Sequence, residues 1–122
     1  MAPLGAGKVG LFAAAGSGGA TGAGYFGGGG SPKTDTIDKF AFSDDSRTTL
    51  STGLSSVRYE LAAFANSGTA GYFGGGNSAS YVTTVDKYAF SDDSRTTLGT
   101  GLSSARRAHA GMANSGTAGY VG

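Results

Sequence analysis

The chain has 122 residues, of which 24 are glycine, 14% are charged and none is cysteine. Glycine at about a fifth, against roughly 7% in average proteins, and charge well below the usual quarter argue against a helical bundle or coiled coil. Without cysteine, disulfides, thiolate nucleophiles and Cys-ligated zinc or iron–sulfur centres are excluded. A net charge of +1 with no cluster of four basic residues lacks the electrostatic footprint of nucleic-acid binding. One domain is the expectation at this length.

The first apolar run, residues 9–15, is far short of the roughly 20 needed to span a bilayer, so no membrane segment is expected. With Lys8 as the one charge before a short, glycine-diluted run, it is also a poor signal peptide. Residues 1–22 are expected to supply inner strands or to anchor the chain to another protein. Gly27–Gly30 is followed by neither a Lys-Ser/Thr pair nor a helical pattern, so a phosphate loop is not expected there. Glycines in that run let crowded strands approach closely.

An internal repeat organises the rest of the chain. Residues 36–74 align with 84–122 at an offset of 48 without a gap, and 29 of the 39 positions are identical. A further partial copy appears where Gly24-Tyr25-Phe26-Gly27-Gly28-Gly29 matches Gly71-Tyr72-Phe73-Gly74-Gly75-Gly76 at an offset of 47. The linkers after these glycines differ by one residue, which marks them as surface connections. The units are therefore 23–56, 57–104 and a partial 105–122, about 2.5 periods of 48 in 122 residues.

Within a unit the elements are short. Residues 37–43 alternate, with Phe40 and Phe42 on one face, as a half-buried strand does. Asp44-Asp45-Ser46, and Asp92-Asp93-Ser94 in the next copy, are turns closed by Asx side chains, and residues 47–50 form a short outer strand. Residues 57–65 predict a strand covered on both faces. Asn66-Ser67-Gly68-Thr69 turns it back into 70–74 as a hairpin. Each unit thus predicts four short antiparallel strands, the size of a propeller blade.

These residues resemble the kelch repeat, whose hallmark is an aromatic-rich strand ending in Gly-Gly with a Tyr downstream. The likeness is carried by Arg58, Gly71, Tyr72, Gly74, Gly75 and the phrase Val85-Asp86-Lys87-Tyr88, with Leu50 and Leu98 where that family has Trp. It implies an all-β fold of four-stranded antiparallel blades, and implies that Arg58 and Arg106 tie neighbouring blades together. Ser43-Asp44-Asp45-Ser46-Arg47-Thr48-Thr49-Leu50 resembles a degenerate Asp-box, which is structural in sialidase-type propellers. The whole phrase is similar to kelch-like repeats in virion proteins of tailed phages, which implies a structural particle protein in a virion or extracellular setting.

Candidate chemistry is sparse. His109 stands alone of its kind at the position of Leu61, and is expected on a strand facing solvent or a neighbour rather than as a ligand or base. The pairs Asp44-Asp45 and Asp92-Asp93 fall short of the six to eight oxygens that Ca²⁺ takes, so turn closure is the expectation, with Arg47 and Arg95 steadying them. A sialidase-like enzyme needs an arginine cluster and a Tyr/Glu pair, and the chain has one glutamate. No catalytic residue, metal or cofactor is expected. Six of the ten differences between copies fall in 57–64 against 105–112. A constant scaffold with one variable segment marks Tyr59, Glu60, Leu61, Arg107, Ala108 and His109 as a candidate partner surface; repacking between duplicated units explains the same pattern equally well. Since 2.5 units close no ring of roughly four to eight blades, either the chain is a piece of a longer repeat protein or the expected partner is a further copy, in a ring or a filament, with other virion proteins or a host glycan beyond it.

Overall fold

A computed structural model describes residues 7–8, 11–14 and 22–122. The protein is all-β, with antiparallel sheets and no helix among the described residues. The strands are β1 Gly7–Lys8, β2 Leu11–Ala14, β3 Ala23–Gly27, β4 Ile37–Ala41, β5 Arg47–Thr49, β6 Ala62–Asn66, β7 Ala70–Gly74, β8 Val85–Ala89, β9 Arg95–Thr97, β10 Gly111–Asn114 and β11 Ala118–Val121.

Sequential pairing makes three sheets: a five-stranded β1–β5, a four-stranded β6–β9, and the hairpin β10–β11. The duplication is legible in the registers. Tyr25 opposes Lys39 in the first sheet and Tyr72 opposes Lys87 in the second. Each Lys ammonium lies over its Tyr ring, at 5.7 and 5.9 Å. The Asp turns close as their side chains predict: Asp44 accepts from the Ser46 N–H and Asp92 from the Ser94 N–H, both at 3.0 Å. Hydrogen bonding from the Ser46 and Ser94 side chains, and then from their N–H groups, holds both carboxyls below their usual range. The second residue of each pair, Asp45 or Asp93, takes φ near +58°, in the left-handed region that Asp tolerates.

One core joins the first two sheets. Ala23, Tyr25 and Ile37 of the first pack with Leu54, Leu61, Ala63, Ala65, Phe73 and Tyr88, and β6 is in contact with both β2 and β10. Tyr25 stacks on Phe90 across the sheets at 5.3 Å. Repetition with a neighbour on one side produces unequal burial at equal positions. Phe73 is fully buried, whereas Phe26, its counterpart in the first sheet, is 49% exposed. The expected strand over 57–65 is shorter than its pattern suggested, running from Ala62. Glu60 takes φ +57° and Ala108, its counterpart, +51°, and such a residue breaks an extended ladder. Among the described residues the sheets close no ring.

Candidate functional site

Two polar constellations stand out, one between the sheets and one at their end. Asp86 on β8 is fully buried, as is Arg58, and Arg58 Nη2 donates to Asp86 Oδ2 at 2.8 Å. The Ser55 N–H and hydroxyl donate to the same oxygen at 2.8 Å, and the Thr97 hydroxyl to Oδ1 at 2.6 Å. Arg58 is rooted in the first sheet's connection, where its N–H donates to Thr34 O and its carbonyl accepts from the Gly29 N–H. Its side chain reaches the second sheet, so the pair binds the two together. Arg58 Nε and Nη1 have no partner, and burial pushes this guanidinium down while Asp86 opposes the shift. A second cross-sheet tie is made by Asp93, which accepts from Tyr25 OH at 2.8 Å and Lys39 Nζ at 2.7 Å. Arg95, expected to steady the Asp pair, instead donates to Gly53 O at 2.8 Å because its side chain points toward the preceding connection.

The second constellation lies where β6 and β10 begin and β3 and β7 end. Tyr59 exchanges backbone hydrogen bonds with Asn77, which bridges on to Tyr81. Lys33 Nζ lies 5.7 Å from the centre of the Tyr59 ring and donates to Ser78 O. Arg107 lies 5.1 Å over the ring of Tyr81 and donates to Glu60 Oε2 at 2.6 Å. Arg107 is held above its ordinary value by Glu60 and Tyr81. The result is a strip of one exposed and one half-buried tyrosine flanked by two cations and a carboxylate, drawn from three successive repeats. Amphipathic rings with fixed charges beside them suit recognition of a polar surface.

The sequence-derived surface is thus divided. Glu60 and Arg107 are brought together, with Tyr59 half-buried beside them and Ala108 exposed. Leu61 and His109 do not join that surface, being 3% and 8% exposed. The reason is the glycine run: Gly28 (φ +72°) and Gly75 (φ +69°) have no Cβ, and one built there would lie 2.7 Å from Leu61 Cδ2 and 2.5 Å from His109 Cε1 respectively. His109 therefore lies in a connection, not on a strand, with Nε2–H donating to Gly74 O at 3.1 Å. Lys33, Asn77 and Tyr81 were not anticipated; the one signal was the unequal length of the linkers that carry them. Among the described residues no three His, Asp or Glu gather as a metal site requires.

Burial pushes His109 below the ordinary histidine value, with the charge of Arg106 adding to the shift and the Gly74 carbonyl opposing it. A lowered folded-state value means that its contribution is present above about pH 6.5 and is lost as pH falls through the folded value. Thermal melts from pH 7 to 5 are expected to show falling stability for the natural chain and a flatter profile for His109→Leu, which restores the residue of the other copy. Equal slopes would contradict this. No protein-family model matches the chain, and no curated protein matches it in sequence.

Proposed function

We propose that the protein is a non-enzymatic structural and assembly protein, built of kelch-like propeller blades that associate with further copies, and a component of a virion. The observation that carries this reading is the buried Arg58–Asp86 pair, with Ser55 on the same carboxylate, which ties the connection after the first sheet to the second sheet and so provides a means of holding one sheet against the next. The ionisable groups withdrawn from water, Arg58, Asp86 and His109, are each engaged with the scaffold. The repeat's resemblance to phage virion repeats supplies the setting. In sedimentation velocity the full chain is expected to associate and a chain ending at residue 104 to remain monomeric. Equal association of both would overturn the role given to the last hairpin.

A second reading, a glycan- or protein-binding module, is favoured by the Tyr59–Tyr81 strip. Tyr81→Ala with Arg107→Ala is then expected to abolish retention on immobilised glycans while leaving association intact. Unchanged retention of the double variant would remove it.

A further inference from the structure

We propose that Lys33 with Tyr59 at one junction, and Tyr81 with Arg107 at the next, are the residues by which successive units of this chain recognise one another. Each junction takes one cation and one tyrosine ring, and the side that supplies the cation is exchanged between the two. The partner recognised is the following repeat of the same chain, so the inference goes beyond both readings above and depends on neither.

The two junctions share one backbone frame. Thr34 N–H donates to Gly29 O and Val82 N–H to Gly76 O, both at 3.1 Å. Lys33 and Tyr81, the residues just before these donors, are therefore counterparts in the two linkers, and the extra residue of the second linker lies ahead of Tyr81. Tyr59 and Arg107 are counterparts at the ungapped offset of 48. Each follows an arginine whose carbonyl is held by the preceding linker: Arg58 O accepts from Gly29 N–H at 3.0 Å and Arg106 O from Gly76 N–H at 2.8 Å.

Within this frame the side chains have changed together. At the first junction the linker supplies the cation and the following unit the ring, with Lys33 Nζ 5.7 Å from the centre of Tyr59. At the second the linker supplies the ring and the following unit the cation, with Arg107 5.1 Å over Tyr81. Both members differ between the copies, yet the contact is kept. Unrelated repacking at two positions distant in sequence gives no reason for so complementary a change. The mismatched combinations are unfavourable: a linker of the first kind before a unit of the second sets Lys beside Arg, where like charges repel, and the reverse leaves two rings without a cation. An attractive match together with a repulsive mismatch makes a specificity device. Neighbouring contacts follow the same order of units, since Lys33 also donates to Ser78 O and Arg107 to Glu60 Oε2 at 2.6 Å. The variation at Tyr59 and Arg107 is thus recognised by the chain's own linkers.

Four chains of identical composition and net charge test this. They are the natural chain, one with the linker residues exchanged (Lys33→Tyr with Tyr81→Lys), one with the inner residues exchanged (Tyr59→Arg with Arg107→Tyr), and one with all four substitutions. Either exchange alone mismatches both junctions, and the two together match them again. None of the four side chains belongs to the buried core, so the interior is left intact. Thermal melts are expected to place each single exchange about 3–8 °C below the natural chain. The fourfold variant should recover at least half of that loss, falling short because it gives up the bond from Asn77 Nδ2 to Tyr59 OH. A fourfold variant as unstable as the two exchanges added together overturns the proposal, as do exchanges that leave the melting temperature unchanged. A second measurement uses proton NMR of the natural chain, in which the rings should shift Lys33 Hε and Arg107 Hδ upfield. Tyr59→Leu should release the shift of Lys33 alone and Tyr81→Leu that of Arg107 alone. Unshifted protons overturn the proposal whether or not the exchanged chains fold.

Discussion

Replacing Arg58 by alanine is expected to cost about 3–5 kcal/mol, because it leaves the Asp86 carboxylate buried without its counter-charge. Three hydrogen bonds from Ser55 and Thr97 remain, but they supply no positive charge. Folded domains of this size are stable by roughly 5–15 kcal/mol, so the loss removes a large part of the whole. Asp86→Asn should be similarly costly by stranding Arg58, and the double variant should cost less than the sum, as expected for residues in contact. Arg106→Ala is the internal control: it has the same place in the repeat and is half-exposed, without a carboxylate partner among the described residues. Urea unfolding followed by tyrosine fluorescence measures all four. An Arg58→Ala chain no less stable than Arg106→Ala would contradict the account.

Phe73→Ala should be comparably damaging, at about 3–5 kcal/mol for a fully buried ring. Phe73 meets Tyr88 edge-to-face at 5.9 Å and is part of the core shared by the two sheets. Phe26 occupies the corresponding position of β3, contacts Phe40 at 5.8 Å, and is 49% exposed. Its replacement by alanine should cost about 1 kcal/mol or less. The two substitutions delete the same atoms from the same place in the repeat. They differ in whether another sheet covers the ring, so the difference between them measures sheet stacking directly. Equal losses would mean that the sheets do not share a core.

Much of this architecture is visible in the amino-acid sequence because its causes are local. Asn-Ser-Gly-Thr turns and Asp pairs fix the hairpins, and the 48-residue offset shows that sheets of one kind recur. The start of β6 was not visible, because Glu60 and Ala108 have no side-chain preference for the left-handed backbone that tertiary contacts give them. Nor was the burial of His109, which depends on the absence of a Cβ at Gly75, distant in sequence. The Tyr25–Asp93 and Lys39–Asp93 contacts join residues 68 and 54 positions apart. Spacing alone gives no measure of which carboxylate an exposed-looking lysine will meet. In the Tyr59–Tyr81 strip the variable residues were legible, while their partners in the linkers were not, since those segments follow no periodicity.

The native mass of the purified chain, measured across a wide concentration range, decides whether these repeats associate. Sheets that stack through a shared core, with Met112 and Tyr120 exposed on the last hairpin, predict species larger than one chain, growing in population with concentration. A single-chain mass at every concentration would contradict self-association.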